Sequence, residues 1–320
     1  MKKRMLSFIS AVALLFGATG CSAVTKAENQ KDSQLSIVCT LFPEYDWTRE
    51  ILGDEAENVN LTYLLDTGES LHSFQPSAKD MVVISDCDLF VYVGGESESW
   101  VDDALKEVTN PDMKVIKLMD VIGDSAKEEE VKEGMQSDEE EPEYDEHVWL
   151  SVKNAEALCS AICETLCEIQ PESADVYRGH LDEYTQKLQK LDSDFADMAE
   201  NASVKTVVFG DKFPFRYFVD DYHIDYYAAF VGCSAETEAS FETIAFLAKK
   251  LDELHLNTIF TIQNTDVSVA NAIIASTENK NQQIVTLNSM QSITRDDINN
   301  GATYLGIMQE NLDTLREALQ

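Results

Sequence analysis

Short apolar runs alternate with helical segments along this chain, and one long helical stripe divides the alternation into two series. Four predicted strands precede the stripe, at residues 35–40, 59–65, 89–93 and 115–118. Four more follow it, at residues 204–209, 226–231, 258–262 and 284–287. Strands that alternate with helices predict parallel sheets built from βα units, in which ligands bind where the carboxyl ends of the strands gather.

The stripe between the two series predicts a long connecting helix. Its apolar residues recur at alternating spacings of four and three, as one face of a helix requires: Tyr177, Leu181, Tyr184, Leu188, Leu191, Phe195 and Met198. From Pro171 to Ala202 such a helix would run about 45 Å, which is longer than one lobe. A coiled-coil dimer would need more repeats than one helix supplies. We therefore predict an α/β protein with two lobes, residues 35–170 and 203–320, joined by a rigid helix over residues 171–202.

The charge of the chain excludes one class of partner. Among 320 residues the formal net charge is −35, and 44% of the residues are hydrophobic, which is typical of a globular protein. Nucleic acid is excluded as a partner because a phosphate backbone is bound through Lys and Arg. Negative charge attracts cations and also favours solubility, and the charge alone does not separate these two roles.

The N-terminus predicts where the protein works. Met1-Lys2-Lys3-Arg4 is basic, the apolar run from Met5 to Phe16 is too short for a permanent membrane span, and small residues precede Cys21. This pattern resembles a bacterial lipoprotein signal over residues 1–20, with lipid on Cys21 and a polar tether over residues 21–34. An ordinary secretory signal is the alternative, and both versions predict an extracytoplasmic protein.

Two histidines stand at positions suited to a ligand. His72 follows the second predicted strand, in a loop closed by Pro76. His147 stands where an acidic stretch, residues 124–146, meets the apolar segment that starts at Val148. So much like charge predicts a mobile surface loop before His147. A single loop histidine is usually only solvated, but two of them after elements of one lobe favour a shared metal site.

The cysteines of the two lobes are predicted to be structural. Cys159, Cys163 and Cys167 recur every four residues on one helix face, and Cys39 and Cys87 lie in apolar runs. Buried cysteine behaves as a small hydrophobe, so we favour packing over a metal, redox or disulfide role for all five.

Four segments together resemble the zinc- and manganese-binding solute-binding lipoproteins of bacterial ABC transporters, the ZnuA-like family. The first is Gly68-Glu69-Ser70-Leu71-His72-Ser73-Phe74-Gln75-Pro76-Ser77, and the second is Asp145-Glu146-His147-Val148-Trp149-Leu150-Ser151 with Asn154-Ala155. The third is Phe215-Arg216-Tyr217-Phe218, and the fourth is Gly301-Ala302-Thr303-Tyr304-Leu305 with Met308, Asn311 and Leu312. The resemblance implies two α/β lobes joined by a long helix, with one metal site in the cleft between them.

The resemblance also implies a set of ligands. His72 and His147 match the first two. Lys212 stands where the family has its third ligand, so Asp211 is our substitute, and Asn288 stands where the family usually has an aspartate. Cys233 and Glu236 are alternative replacements for the missing donors. His180, His223 and His255 are predicted to lie away from the site, in or beside helices.

The implied function is metal capture. The protein would be the extracytoplasmic, lipid-anchored and monomeric binding component of an ABC importer, and it would carry Zn²⁺, or alternatively Mn²⁺, to its permease. It would not be an enzyme. One alternative is a degenerate member that acts as a surface adhesion or partner protein, which Lys212 and Asn288 favour. A secreted metallohydrolase is disfavoured because no paired-ligand helix such as His-Glu-x-x-His occurs.

Overall fold

Two four-stranded parallel sheets form the framework of the computed structural model, which describes residues 34–137, 143–232 and 238–320. The first sheet has the order β2-β1-β3-β4, with β1 Ser36–Cys39, β2 Asn60–Tyr63, β3 Leu89–Tyr92 and β4 Lys114–Lys117. The second has the order β6-β5-β7-β8, with β5 Thr206–Phe213, β6 Asp225–Val231, β7 Thr258–Ile262 and β8 Gln283–Leu287. Every pairing is parallel, which confirms the predicted α/β fold.

Eleven helices occur in the described ranges. Those before the centre of the chain are α1 Phe42–Leu52, α2 Ala78–Asp86, α3 Val101–Ala104, α4 Leu118–Ile122 and α5 Val152–Ile169. Those after it are α6 Ala174–Asn201, α7 Arg216–Tyr222, α8 Phe241–Glu253, α9 Ser268–Ser276, α10 Arg295–Asn299 and α11 Tyr304–Ala318. Across the described residues no helix is both long enough and apolar enough to cross a bilayer.

Helix α6 is the predicted long connector. It has 28 residues, about 42 Å, and follows a 3-10 turn at Pro171–Ser173. Near its start His180 lies 3.0 Å from the carbonyl oxygen of Ile51 on α1. Near its end Phe195 packs on Phe218 of α7, with ring centroids 5.0 Å apart. The helix therefore contacts both lobes. The limits at residues 170 and 203 stay predictions.

Other contacts join the lobes through buried hydrogen bonds. Trp149 donates its indole N–H to the carbonyl of Ser289 at 2.8 Å. The hydroxyl of Tyr304, at the start of α11, donates to the carbonyl of Trp149 at 2.8 Å, and its backbone N–H donates to Asp46 at 2.7 Å. Since these groups are buried, each bond also avoids the cost of an unsatisfied polar group. These contacts fix the segment after His147 against the second lobe.

The described part of the acidic stretch contacts the second lobe. We call residues 126–137 the strap. Its residues 127–129 pair through the backbone with residues 143–145, and Gln136 donates its backbone N–H to Ala229 of β6 at 2.9 Å. Lys132 forms an ion pair with Asp225 at 2.6 Å. In the described part of the stretch, backbone pairing and lysine partners offset the like charge, and its mobility stays a prediction. Residues 138–142 lie outside the described ranges.

Five cysteines are buried free thiols, as predicted: Cys39, Cys87, Cys159, Cys163 and Cys167. The signal, Cys21, nearly all of the tether, Cys233 and Glu236 lie outside the described residues.

Candidate metal centre

His72 is carried by a single 3-10 turn, Leu71–Ser73, between β2 and α2. Leu71 is buried and anchors this turn in the core. The Nδ1 atom of His72 lies 2.7 Å from the hydroxyl of Ser97 and 3.8 Å from the carboxylate of Glu146. Ser97 and Glu146 thus fix the back of the ring, and Nε2 is the nitrogen that faces away from them.

His147 is held from behind by its own neighbour in the chain. Its Nδ1 lies 2.9 Å from Asp145 Oδ1, which also accepts the backbone N–H of His147 at 2.8 Å. A carboxylate partner places the ring proton on Nδ1, and Nε2 is then left with its lone pair for a ligand. The side chain is completely buried. The adjacent 3-10 turn, Val148–Leu150, and the bond from Trp149 to the second lobe keep it in place.

The Nε2 atoms of the two histidines lie close together. The Nε2 atoms of His72 and His147 are 3.3 Å apart, and the ring planes are tilted by 58°. Two nitrogens that bind one tetrahedral ion at about 2.0–2.1 Å lie about 3.3–3.4 Å from each other. The pair is therefore spaced as two imidazole ligands of a single ion would be.

The rings differ in their affinity for a proton. Burial, with the nearby charges of His147 and Lys212, lowers the pKa of His72 to about 3, so this ring is neutral at physiological pH. Burial alone would lower the pKa of His147, but the carboxylates of Asp145, Glu146 and Glu129 outweigh it and raise that pKa. His147 is consequently the ring from which a metal must displace a proton.

Two glycines let the backbone approach this centre. A Cβ atom on Gly232, at the end of β6, would lie 3.0 Å from the ring of His147 and 2.9 Å from the carbonyl oxygen of Phe213. A Cβ atom on Gly95 would lie 2.1 Å from Glu146 Oε1. The second lobe therefore reaches the histidine pair through main chain.

The two oxygen donors expected from the second lobe are engaged elsewhere. Asp211 accepts backbone N–H groups of Ile262 at 3.1 Å and Lys212 at 2.8 Å. Asn288 accepts the backbone N–H of Met290 at 2.8 Å through its amide oxygen. Across residues 34–137, 143–232 and 238–320, no three His, Cys, Asp or Glu side chains are grouped so that they could hold a metal ion. Asp211 thus ties β5 to β7 and does not join the two histidines.

Sequence reasoning missed the groups that support the histidines. Ser97, Asp145 and Glu146 hold the rings, but a serine or an acidic run has no pattern that marks such a role before the fold is known. The one usable signal was Gly94-Gly95 directly after a strand, because glycine there permits close approach. The remaining histidines, His180, His223 and His255, make no contact with this centre; the last two occupy left-handed backbone positions beside helices.

Comparisons with known proteins identify a matching family model and several named relatives. A family model described as ZnuA, the periplasmic zinc-uptake complex component A, matches residues 37–318. The chain is 30% identical to the zinc-binding lipoprotein AdcA of Streptococcus pneumoniae over 99% of its own length, but it spans 61% of that relative. It is 26% identical to the high-affinity zinc uptake system protein ZnuA of Bacillus subtilis, over 98% of this chain and 97% of that one.

A solved structure has the same fold. The Zn(II)-bound ZnuA-like domain of S. pneumoniae AdcA superposes with a TM-score of 0.70 at 28% identity, covering 90% of this chain and 99% of that domain. The resemblance predicted from four short segments is thereby confirmed. Because the family model extends from the first strand to the last helix, this chain belongs to the ZnuA family.

Proposed function

We propose that this protein is the extracytoplasmic binding component of an ABC importer and captures a divalent transition metal between His72 and His147. The observation that carries the proposal is the 3.3 Å separation of the two Nε2 atoms. Asp145 and Ser97 hold the far side of the rings, so the site is organised before the ion arrives.

Zinc is the cargo that we propose. Two imidazole nitrogens suit Zn²⁺, whereas Mn²⁺ prefers more oxygen donors. The names of the relatives point the same way, since they describe zinc-binding and zinc-uptake proteins. Mn²⁺ stays the alternative.

The remaining coordination is part of the proposal. Asp211 and Asn288 can bind the ion if their oxygens exchange the bonds to Thr265 and Met290 for the metal. Lys212, whose charge lowers the pKa of His72, cannot bind a cation while it is protonated. We therefore assign the two histidines as the principal ligands and the two oxygen donors as secondary ligands in the cleft between the lobes.

Delivery to a permease and attachment through lipid on Cys21 follow from the family and from the N-terminal pattern. We propose both, together with a monomeric state. A surface partner protein without metal is the second candidate, and the positive charge of Lys212 beside His72 is the observation that favours it. We do not propose hydrolysis, because the relatives are named as binding and uptake proteins.

Zinc titration of the protein without residues 1–21 tests the proposal. We expect one tight equivalent, and we expect His72→Ala and His147→Ala each to weaken it at least about a hundredfold. His255→Asn, at an exposed histidine with left-handed backbone, is the matched control and should bind like the wild type. Absence of any tight equivalent in the wild type would support the partner protein instead.

A further inference from the structure

Two carboxyl groups are buried behind the histidine pair. Glu44 lies in the first turn of α1 and Glu98 ends the 3-10 turn Glu96–Glu98 after β3. Their exposed fractions are 0% and 2%. Neither forms an ion pair with a Lys, Arg or His in the described part of the chain. Two uncompensated charges in such a place would be costly, because burial penalises the ionised form of each.

Each carboxyl group has one satisfied oxygen and one that is not. Glu44 Oε2 accepts the backbone N–H groups of Thr40 at 2.9 Å and Leu41 at 3.0 Å. Glu98 Oε2 accepts the N–H of Gly94 at 2.7 Å. The Oε1 atom of each is buried without a hydrogen-bond partner. A proton on one carboxyl would supply the donor that these oxygens lack.

The two groups are neighbours. The hydroxyl of Thr40 donates to Glu44 at 3.2 Å, and the same side chain lowers the pKa of Glu98. After burial, the charge of Glu98 is the largest influence that raises the pKa of Glu44 well above its usual value. Burial, aided by the charge of Glu146, raises the pKa of Glu98 to about 7.

The pair reaches the metal centre through one residue. Ser97, next to Glu98, places its hydroxyl 2.7 Å from His72 Nδ1 and donates its backbone N–H to Glu146 at 2.8 Å. Glu98 closes the turn that holds Ser97, because its backbone N–H bonds to Gly95 at 3.2 Å and its carboxyl to Gly94. The titratable groups that bear on the pair include Cys39, Tyr63, Tyr92 and Glu146, and the side chain of Lys117 lies against Gly94, whose N–H bonds to Glu98.

We propose that Glu44 and Glu98 form a buried carboxyl pair that holds an exchangeable proton and couples the charge of the pair, through Ser97, to metal binding at His72. Loss of the proton leaves one negative charge behind the histidines, and this charge favours a bound cation. The pair is thus a proton site distinct from the metal ligands. Its effect on zinc rests on the function proposed above, whereas its proton does not.

Infrared spectra of the metal-free protein test the proton. We expect a band from buried protonated carboxyl groups that is stronger at pH 6 than at pH 8. Glu98→Gln should remove this change, whereas Glu44→Gln should leave its midpoint nearly unchanged, because Glu44 is the carboxyl that stays protonated while Glu98 titrates. Glu107→Gln, at an exposed glutamate, is the control. The proposal fails if the wild type has no such band or if the double variant retains it.

Zinc affinity between pH 6 and pH 8 tests the coupling. Titration of the histidines is common to all variants, so the ratio of wild-type to Glu98→Gln affinity isolates the pair. We expect this ratio to rise about tenfold across the range and to stay flat for Glu107→Gln. The coupling is overturned if the wild type and Glu98→Gln both bind zinc and their zinc affinities change with pH in parallel. A wild type that binds no zinc would overturn the proposed function and the coupling together, and the infrared result would still decide the proton pair.

Discussion

The hydroxyl of Tyr217 donates to the carbonyl oxygen of Asp145 at 2.8 Å and accepts the backbone N–H of Lys127 at 3.1 Å. One side chain of α7 thereby ties the second lobe both to the strap and to the segment that holds His147. Tyr217→Phe removes these bonds and keeps the ring. We expect a loss of about 1–2 kcal/mol in the free energy of unfolding and a few-fold loss in zinc affinity. Denaturant unfolding and zinc titration measure the two effects, with the exposed Tyr144→Phe as control.

Asp145 should control the metal affinity of His147 without touching the metal. Asp145→Asn retains a hydrogen-bond acceptor for Nδ1 but removes the charge that makes the ring a stronger ligand. We expect zinc affinity to fall about ten- to a hundredfold. Competition with a chromogenic chelator gives the affinity, and Asp124→Asn, at an exposed aspartate, should bind like the wild type. Equal affinity in both variants would argue that the carboxylate plays no part.

Metal release should depend on protonation of His147. Its pKa is raised, so the ring begins to take up a proton at a higher pH than an ordinary histidine with a pKa of about 6.5. Zinc affinity should therefore decline as pH falls through that raised pKa, while His72, with a pKa of about 3, stays neutral over the same interval. In Asp145→Asn the decline should shift to lower pH. Zinc affinity of both proteins should be measured at closely spaced pH values. The same midpoint in both proteins would contradict this assignment.

Lys212 should oppose the ion. Its positive charge lowers the pKa of His72, and the same charge repels a cation bound there. Lys212→Met removes the repulsion, and we expect zinc affinity to rise about tenfold. Lys249→Met, on the exposed face of α8, is the charge-matched control. An unchanged or lower affinity in isothermal titration would count against a direct electrostatic effect.

Gly232 should tolerate no side chain. In Gly232→Ala the added carbon would crowd both the Phe213 carbonyl and the His147 ring. We expect a loss of about 1–3 kcal/mol in stability together with weaker zinc binding. Gly179→Ala provides the contrast, because nothing lies within 4 Å of its added carbon. Within helix α6 that change should stabilise the fold by about 0.5–1 kcal/mol, and thermal unfolding distinguishes the two directions.

Periodicity was sufficient for the fold. All eight strands and the long helix were predictable, because a buried parallel strand and an amphipathic helix each impose their own spacing of apolar residues. His72 and His147 were predictable as a pair because both follow elements of one lobe. These features depend on local pattern, which a single sequence contains.

The features that the sequence could not predict depend on side-chain direction and on contacts between residues that are far apart along the chain. Asp211 and Lys212 are adjacent on β5 where its pairing with β6 shifts register, so strand alternation alone could not assign which one faces the histidines. The contact between the strap and Ala229 could not be predicted, because the two segments are far apart along the chain. Glu44 and Glu98 likewise become neighbours only when β1 and β3 pair side by side.

The buried thiols bear on whether zinc, a thiophilic ion, can bind away from the metal centre. The form of cysteine that captures zinc is the thiolate, and burial raises the pKa of Cys39 and Cys159 well above the usual range and that of Cys87 and Cys163 to about 12. These four sulfurs, all in the first lobe, therefore stay protonated and offer an incoming ion no competing thiolate. Burial of these cysteines in the core therefore also prevents zinc from binding to them.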